Sequence, residues 1–182
     1  MKKILNRPEE FVDEMVEGIL YAYPDKIMPL NGDKRVILNK TKKDNKVGIV
    51  TAGGSGHLPV FLGYVGDGML DGCAVGNVFA SPSANKMYEM IKACNFGKGV
   101  LCLYGNYGGD KLNFEMAMSM AEMDSIQVKE IRVMDDIASS PIEAKDKRRG
   151  VAGMVFAYKV AGAAAQRGYD LEKLVSVTRC NV

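Results

Sequence analysis

One short stretch limits the folds open to this chain. It is Thr51-Ala52-Gly53-Gly54-Ser55-Gly56-His57, directly after the apolar run Lys46-Val47-Gly48-Ile49-Val50. The run reads as a buried strand. Three glycines in four positions suit neither a regular helix nor a regular strand. They let the backbone turn sharply and bring bare N–H groups up to a ligand. A glycine turn at the C-terminal end of a strand is where open α/β sheets bind ligands. The turn ends on His57, the single histidine of the 182 residues.

A second stretch repeats the design. Val100 to Tyr104 reads as another buried strand and opens into Gly105-Asn106-Tyr107-Gly108-Gly109-Asp110. If a sheet sets the two loops side by side, His57 and Asp110 meet in one crevice. A histidine and an aspartate facing a hydroxyl form a usable general-base pair. Ser55 and the N–H groups of Gly54 to Gly56 offer further hydrogen bonds to the same ligand. Plainer roles stand beside these. A lone histidine is most often structural or simply exposed, and an aspartate ahead of a helix is a preferred cap. Asp135 and Asp136, after a third strand, fit a turn or helix cap, with a metal or ligand role as the alternative.

The rest of the chain alternates strands and helices. Phe11, Val12, Met15, Val16, Ile19 and Leu20 recur at helical spacing, with Asn6 as cap and Pro24 as stop. Residues 29–33 read as a turn, 35–39 and 128–134 as strands, and 58–66 as a short helix. Ser81-Pro82 reads as a helix start with the Ser81 hydroxyl as cap. A helix is expected over 111–123 with Met116, Met120 and Met123 inward, another over 151–167, and a last one after the cap Asp170. This pattern predicts one domain over 1–182. Its class is α/β, a layered, largely parallel or mixed sheet with helices on both faces.

Composition removes several function classes. The net charge is +2 and the basic residues are scattered, which leaves no footprint for nucleic acid. No apolar stretch approaches the ~20 residues that span a bilayer. The basic N-terminus meets Glu9 and Glu10 before any apolar segment, so no signal peptide is expected. Cys73, Cys94, Cys102 and Cys180 lack CxxC spacing and read as reduced thiols of a cytoplasmic protein. With one histidine and that spacing, no metal site is expected. The glycine turn has neither a Walker A ending nor the GxGxxG pattern, so nucleotide is expected on another chain or domain.

Five motifs together resemble the K subunit of dihydroxyacetone (glycerone) kinase, N-terminal domain. They are Gly53 to His57, Gly63 to Leu70, Phe79 to Pro82, Asn106 to Asp110 with Asn113-Phe114, and Arg148 to Ala152. They come in the family order and span essentially the whole chain. The resemblance implies phosphorylation of a short ketose, dihydroxyacetone or an erythrulose-like sugar. It implies His57 and Asp110 as the catalytic proton-handling pair, and substrate contacts from Gly53, Gly54, Ser55, Gly56 and Gly105. It implies ATP/ADP and magnesium on a separate L domain or subunit, in some systems recharged by a phosphotransferase relay, and a homodimer. Three departures accompany it. The family histidine that binds the ketose covalently belongs to a second half absent here. Gly105 stands where many members have lysine, and Leu58 where an acid often follows the motif histidine. A ketose-sensing regulatory paralogue and a truncated, non-catalytic fragment therefore remain as alternative readings.

Overall fold

In a computed structural model, residues 3–41 and 44–179 are described. Six strands form one sheet: β1 (Ile27–Leu30), β2 (Asp33–Asn39), β3 (Lys46–Gly54), β4 (Gly72–Gly76), β5 (Gly97–Gly105) and β6 (Val128–Val133). Their order is β1-β2-β4-β3-β5-β6. β4, β3, β5 and β6 run parallel, while β2 is antiparallel to both β1 and β4. The sheet is therefore mixed, with a parallel centre. Among the described residues, five α-helices cover it: α1 (Phe11–Ala22), α2 (Ala84–Ala93), α3 (Gly108–Met123), α4 (Met154–Gln166) and α5 (Leu171–Arg179).

The central strands are apolar on both sides, as a sheet with two covered faces requires. Along β5, Leu101 and Leu103 pack with α1, α4 and α5. Val100, Cys102 and Tyr104 point the other way and pack with α2 and α3. The period of two thus divides the core into two layers around one sheet. β3 is buried along its whole length. Its first residue, Lys46, ion-pairs with Asp71 at 2.6 Å, both almost fully buried. Asp71 also accepts the Ile49 N–H at 2.9 Å.

Five local expectations need correction. Asn6 caps no helix: α1 starts at Phe11 after a 3-10 turn at Pro8–Glu10, and the Asn6 amide donates to Glu14 instead. The turn expected at 29–33 is present but confined to Asn31 and Gly32, and residues 27–30 before it form an edge strand. Pro29 lacks a donor but is tolerated at a sheet edge. Residues 58–66 form turns with a single 3-10 turn at Leu62–Tyr64, because Phe61 takes a positive φ of 72° that no helix accommodates. α2 begins at Ala84 with Ser83 before it, so Ser81 caps nothing. In α3 the inward face is Asp110, Phe114, Ala117 and Ala121, while Met116 and Met123 are exposed and Met120 is half-buried. Both faces satisfy helical spacing; the alanines allow closer packing on the sheet.

Asp170 does cap α5, accepting the Lys173 N–H at 2.8 Å. Cys73 and Cys102 are buried free thiols, and Cys94 is buried as well. Cys180 lies outside the described residues. Among the described residues, no helix is long and apolar enough to cross a membrane.

Candidate functional site

The connections place the site. From β3 the chain moves to β4 on one side, and from β5 to β6 on the other. Ligands of open α/β sheets bind beyond the strand C-termini at such a reversal. β3 ends in the turn that carries Ser55 and His57, and β5 ends in the loop that leads to Asp110. A cavity of about 510 Å³ opens there. Its wall includes Gly54, His57, Phe61, Phe79, Ser81, Tyr107, Asp110 and Asn113, with Gly150, Val151 and Met154 closing the far side.

His57 is exposed on this wall. Its ring stands edge-on to Phe61 at 6.3 Å and to Phe79 at 6.0 Å. Two aromatic edges thus limit its orientation without occupying its nitrogens.

Asp110 sits in the first turn of α3, where a negative charge is favoured. It is not the cap, which is Tyr107 without a side-chain bond. The carboxyl is buried and its Oδ1 has no partner. Burial pushes its pKa above the ordinary carboxylate value; the Ser81 hydroxyl and the nearby His57 oppose that rise. A raised carboxylate with a free oxygen is suited to accepting a proton. A second orphan lies next to the wall: the buried Ser55 Oγ also lacks a partner. Buried polar atoms are normally satisfied, so two orphans around one cavity point to a ligand that pairs with them.

The glycine turn behaves differently from its simplest reading. The N–H groups of Ser55 and Gly56 are already bonded to Asn77 O at 3.1 Å and Val78 O at 2.8 Å. They tie the turn to residues 77–78 rather than cradle an anion. Of the expected substrate contacts, Gly54 lines the cavity, while Gly53, Ser55, Gly56 and Gly105 are next to it in the two loops and not part of its lining. A β-carbon at Gly105 would stand 3.0 Å from the Tyr107 ring and 3.1 Å from Met154 Sδ. Those two side chains fill the space a larger residue would claim.

Phe79, Ser81, Gly150 and Val151 stood in the family motifs without a site role, and Phe61 and Met154 were not singled out. The 150–154 wall is fixed by Asp135, which accepts the N–H groups of Val151 and Gly153, each at 2.8 Å. Asp135 therefore ties down the loop ahead of α4, and Asp136 accepts the Ala138 N–H at 3.0 Å in a turn. Asn106 donates to Asp146 O and Arg148 O, binding the second loop to the same wall. The available signal for Ser81 was Ser83, two residues on: with a second serine immediately before the helix, Ser81 was free for other work. Among the described residues, no group of three or more His, Cys, Asp or Glu is placed to hold a metal ion.

This is an open α/β sheet protein with a small polar site at its strand reversal. Residues 17–181 match the Dak1 domain, and the chain belongs to that family. It is 48% identical over 174 residues to the PTS-dependent dihydroxyacetone kinase 1, dihydroxyacetone-binding subunit DhaK, of Listeria innocua, covering 96% of this chain and 53% of that protein. It is 41% identical to the L-erythrulose kinase of Pectobacterium atrosepticum, covering 97% of this chain and 30% of that one. The crystal structure of the dihydroxyacetone kinase of C. freundii superposes with a TM-score of 0.91 at 32% identity, over 98% of this chain and 33% of that one. The chain thus spans about half the length of the first relative and a third or less of the other two.

Proposed function

We propose that this chain is the ketose-binding half of the substrate subunit of a dihydroxyacetone-type kinase. One observation carries the reading: the buried, unpartnered Oδ1 of Asp110 shares a cavity wall with His57 at the ends of two adjacent parallel strands. The substrate is a short ketose, dihydroxyacetone or an erythrulose, whose hydroxyls match the polar side of the cavity. Asp110 and His57 handle the hydroxyl protons as the ketose oxygen attacks the phosphoryl group. Ser55 Oγ supplies a hydrogen bond. Gly53, Gly54, Gly56 and Gly105 let the walls close to substrate size.

The phosphoryl donor comes from elsewhere. With the Ser55 and Gly56 N–H groups engaged, the turn offers no phosphate cradle. ATP/ADP and magnesium belong to a separate L domain or subunit. The subunit works in the cytoplasm, as a homodimer, and residues 1–182 form one domain of it.

The test is ketose phosphorylation by the assembled kinase carrying Asp110→Asn or His57→Asn. Each variant is expected to lose turnover on the order of 10²-fold or more. Wild-type turnover in both would refute the reading.

A further inference from the structure

Ser81 has no part in the pair just described, yet it lines the same cavity. It lies in the connection between β4 and α2, on a segment that α3 does not contain. Its hydroxyl is pressed against the backbone one residue before Asp110: a β-carbon on Gly109 would stand 2.7 Å from Ser81 Oγ. Any residue but glycine at 109 would drive the hydroxyl away. The neighbouring carboxyl leaves Oδ1 without a partner.

From this packing we infer that Ser81 is a positioning residue for Asp110. Its hydroxyl steadies one side of the carboxyl so that Oδ1 stays turned to the ketose, and Gly109 is the gap that admits it. The inference rests on the reading of Asp110 as a proton acceptor. The direction of the Ser81 effect agrees with it, since the hydroxyl favours the ionised form of Asp110. The other titratable groups within electrostatic reach are His57 on the turn, Cys73 on β4, Tyr107 before α3 and Tyr158 on α4. Burial pushes the Cys73 thiol and the Tyr107 and Tyr158 phenols up, so all three stay neutral where a carboxylate titrates.

Ser81→Ala removes the hydroxyl, Ser81→Thr keeps it, and Gly109→Ala pushes it aside. In the assembled kinase, Ser81→Ala is expected to lower kcat on the order of tenfold or more with little change in KM, because a misaimed group costs the reacting step. The acid limb of its pH profile moves to higher pH, since the ionised carboxyl has lost a donor. Ser81→Thr restores both. Gly109→Ala reproduces the alanine profile, and the double variant adds nothing further. The Asp110 side-chain carbon resonance, titrated in this chain without turnover, shows the same upward shift in Ser81→Ala. An unmoved limb and an unmoved resonance in Ser81→Ala, with Asp110→Asn still inactive, overturn the inference and leave the proton-handling reading standing. Full activity in Asp110→Asn overturns both.

Discussion

The ring of Phe61 packs directly on the α-carbon of Gly53. A β-carbon built at Gly53 would stand 2.2 Å from Phe61 Cε2. Phe61 also meets the His57 ring edge-on, so the glycine at the end of β3 controls where the histidine stands. Gly53→Ala therefore expels the aromatic ring. The overpacking is expected to cost about 1–3 kcal/mol of stability. Ketose turnover should fall further than that loss explains, because His57 loses its support. Urea unfolding beside a kinetic assay checks both; full activity in a destabilised variant would separate Phe61 from the site.

Asp110→Asn should abolish turnover without lowering stability at neutral pH. Burial raises the folded pKa of this carboxyl. Above the ordinary aspartate value of about 4, the folded chain then holds more protons than the unfolded one. Its contribution to stability is most favourable below that value, and it declines as pH rises through the raised folded pKa. An uncharged amide escapes that decline. Thermal melting at pH 5 and pH 8 is the check: the wild type should lose more than Asp110→Asn between the two, and an equal loss would contradict the shift.

The buried pair Lys46–Asp71 gives a second test of electrostatics. Burial raises the Asp71 pKa, and the Lys46 ammonium works against that rise. Lys46→Met leaves an uncompensated buried carboxylate. It should cost about 3–5 kcal/mol near neutral pH. The deficit should shrink on acidification, because a protonated Asp71 needs no counter-charge. Urea midpoints across pH 5 to 8 measure this; a deficit independent of pH would mean that packing, rather than charge, holds Lys46 in place.

Asp135→Ala removes the two bonds that fix the start of the α4 wall. A loss of about 1–3 kcal/mol is expected, as for other N–H groups left without their acceptor. Since Gly150, Val151 and Met154 line the cavity, KM for the ketose should rise more than kcat falls. An unchanged KM would show that the wall holds without Asp135.

Much of the architecture was legible because its signals are local. The apolar runs 46–50 and 100–104 are central strands, and each delivers its loop at the same edge of the sheet. Where two readings satisfied the same local rule, the sequence could not choose between them. Met116, Met120 and Met123 follow helical spacing as well as Phe114, Ala117 and Ala121 do, yet only the latter face inward. Ser81-Pro82 has the chemistry of a helix start, but the helix begins three residues later. The N–H groups of Ser55 and Gly56 looked free because their partners, Asn77 and Val78, lie more than twenty positions away. His57 and Asp110 emerged from strand ends and glycines. Phe61, Phe79 and Ser81, which surround them, meet only through tertiary packing.

The most direct measurement is amide chemical-shift mapping of this chain during titration with dihydroxyacetone, a method that detects weak binding. Shifts are expected at Gly54 to His57, Phe79 to Ser81, Tyr107 to Asn113 and Gly150 to Met154, all around one cavity. Shifts gathered instead in the separate groove between α1 and residues 58–69, with the His57 and Asp110 amides unmoved, would contradict the placement of the ketose between the two loops.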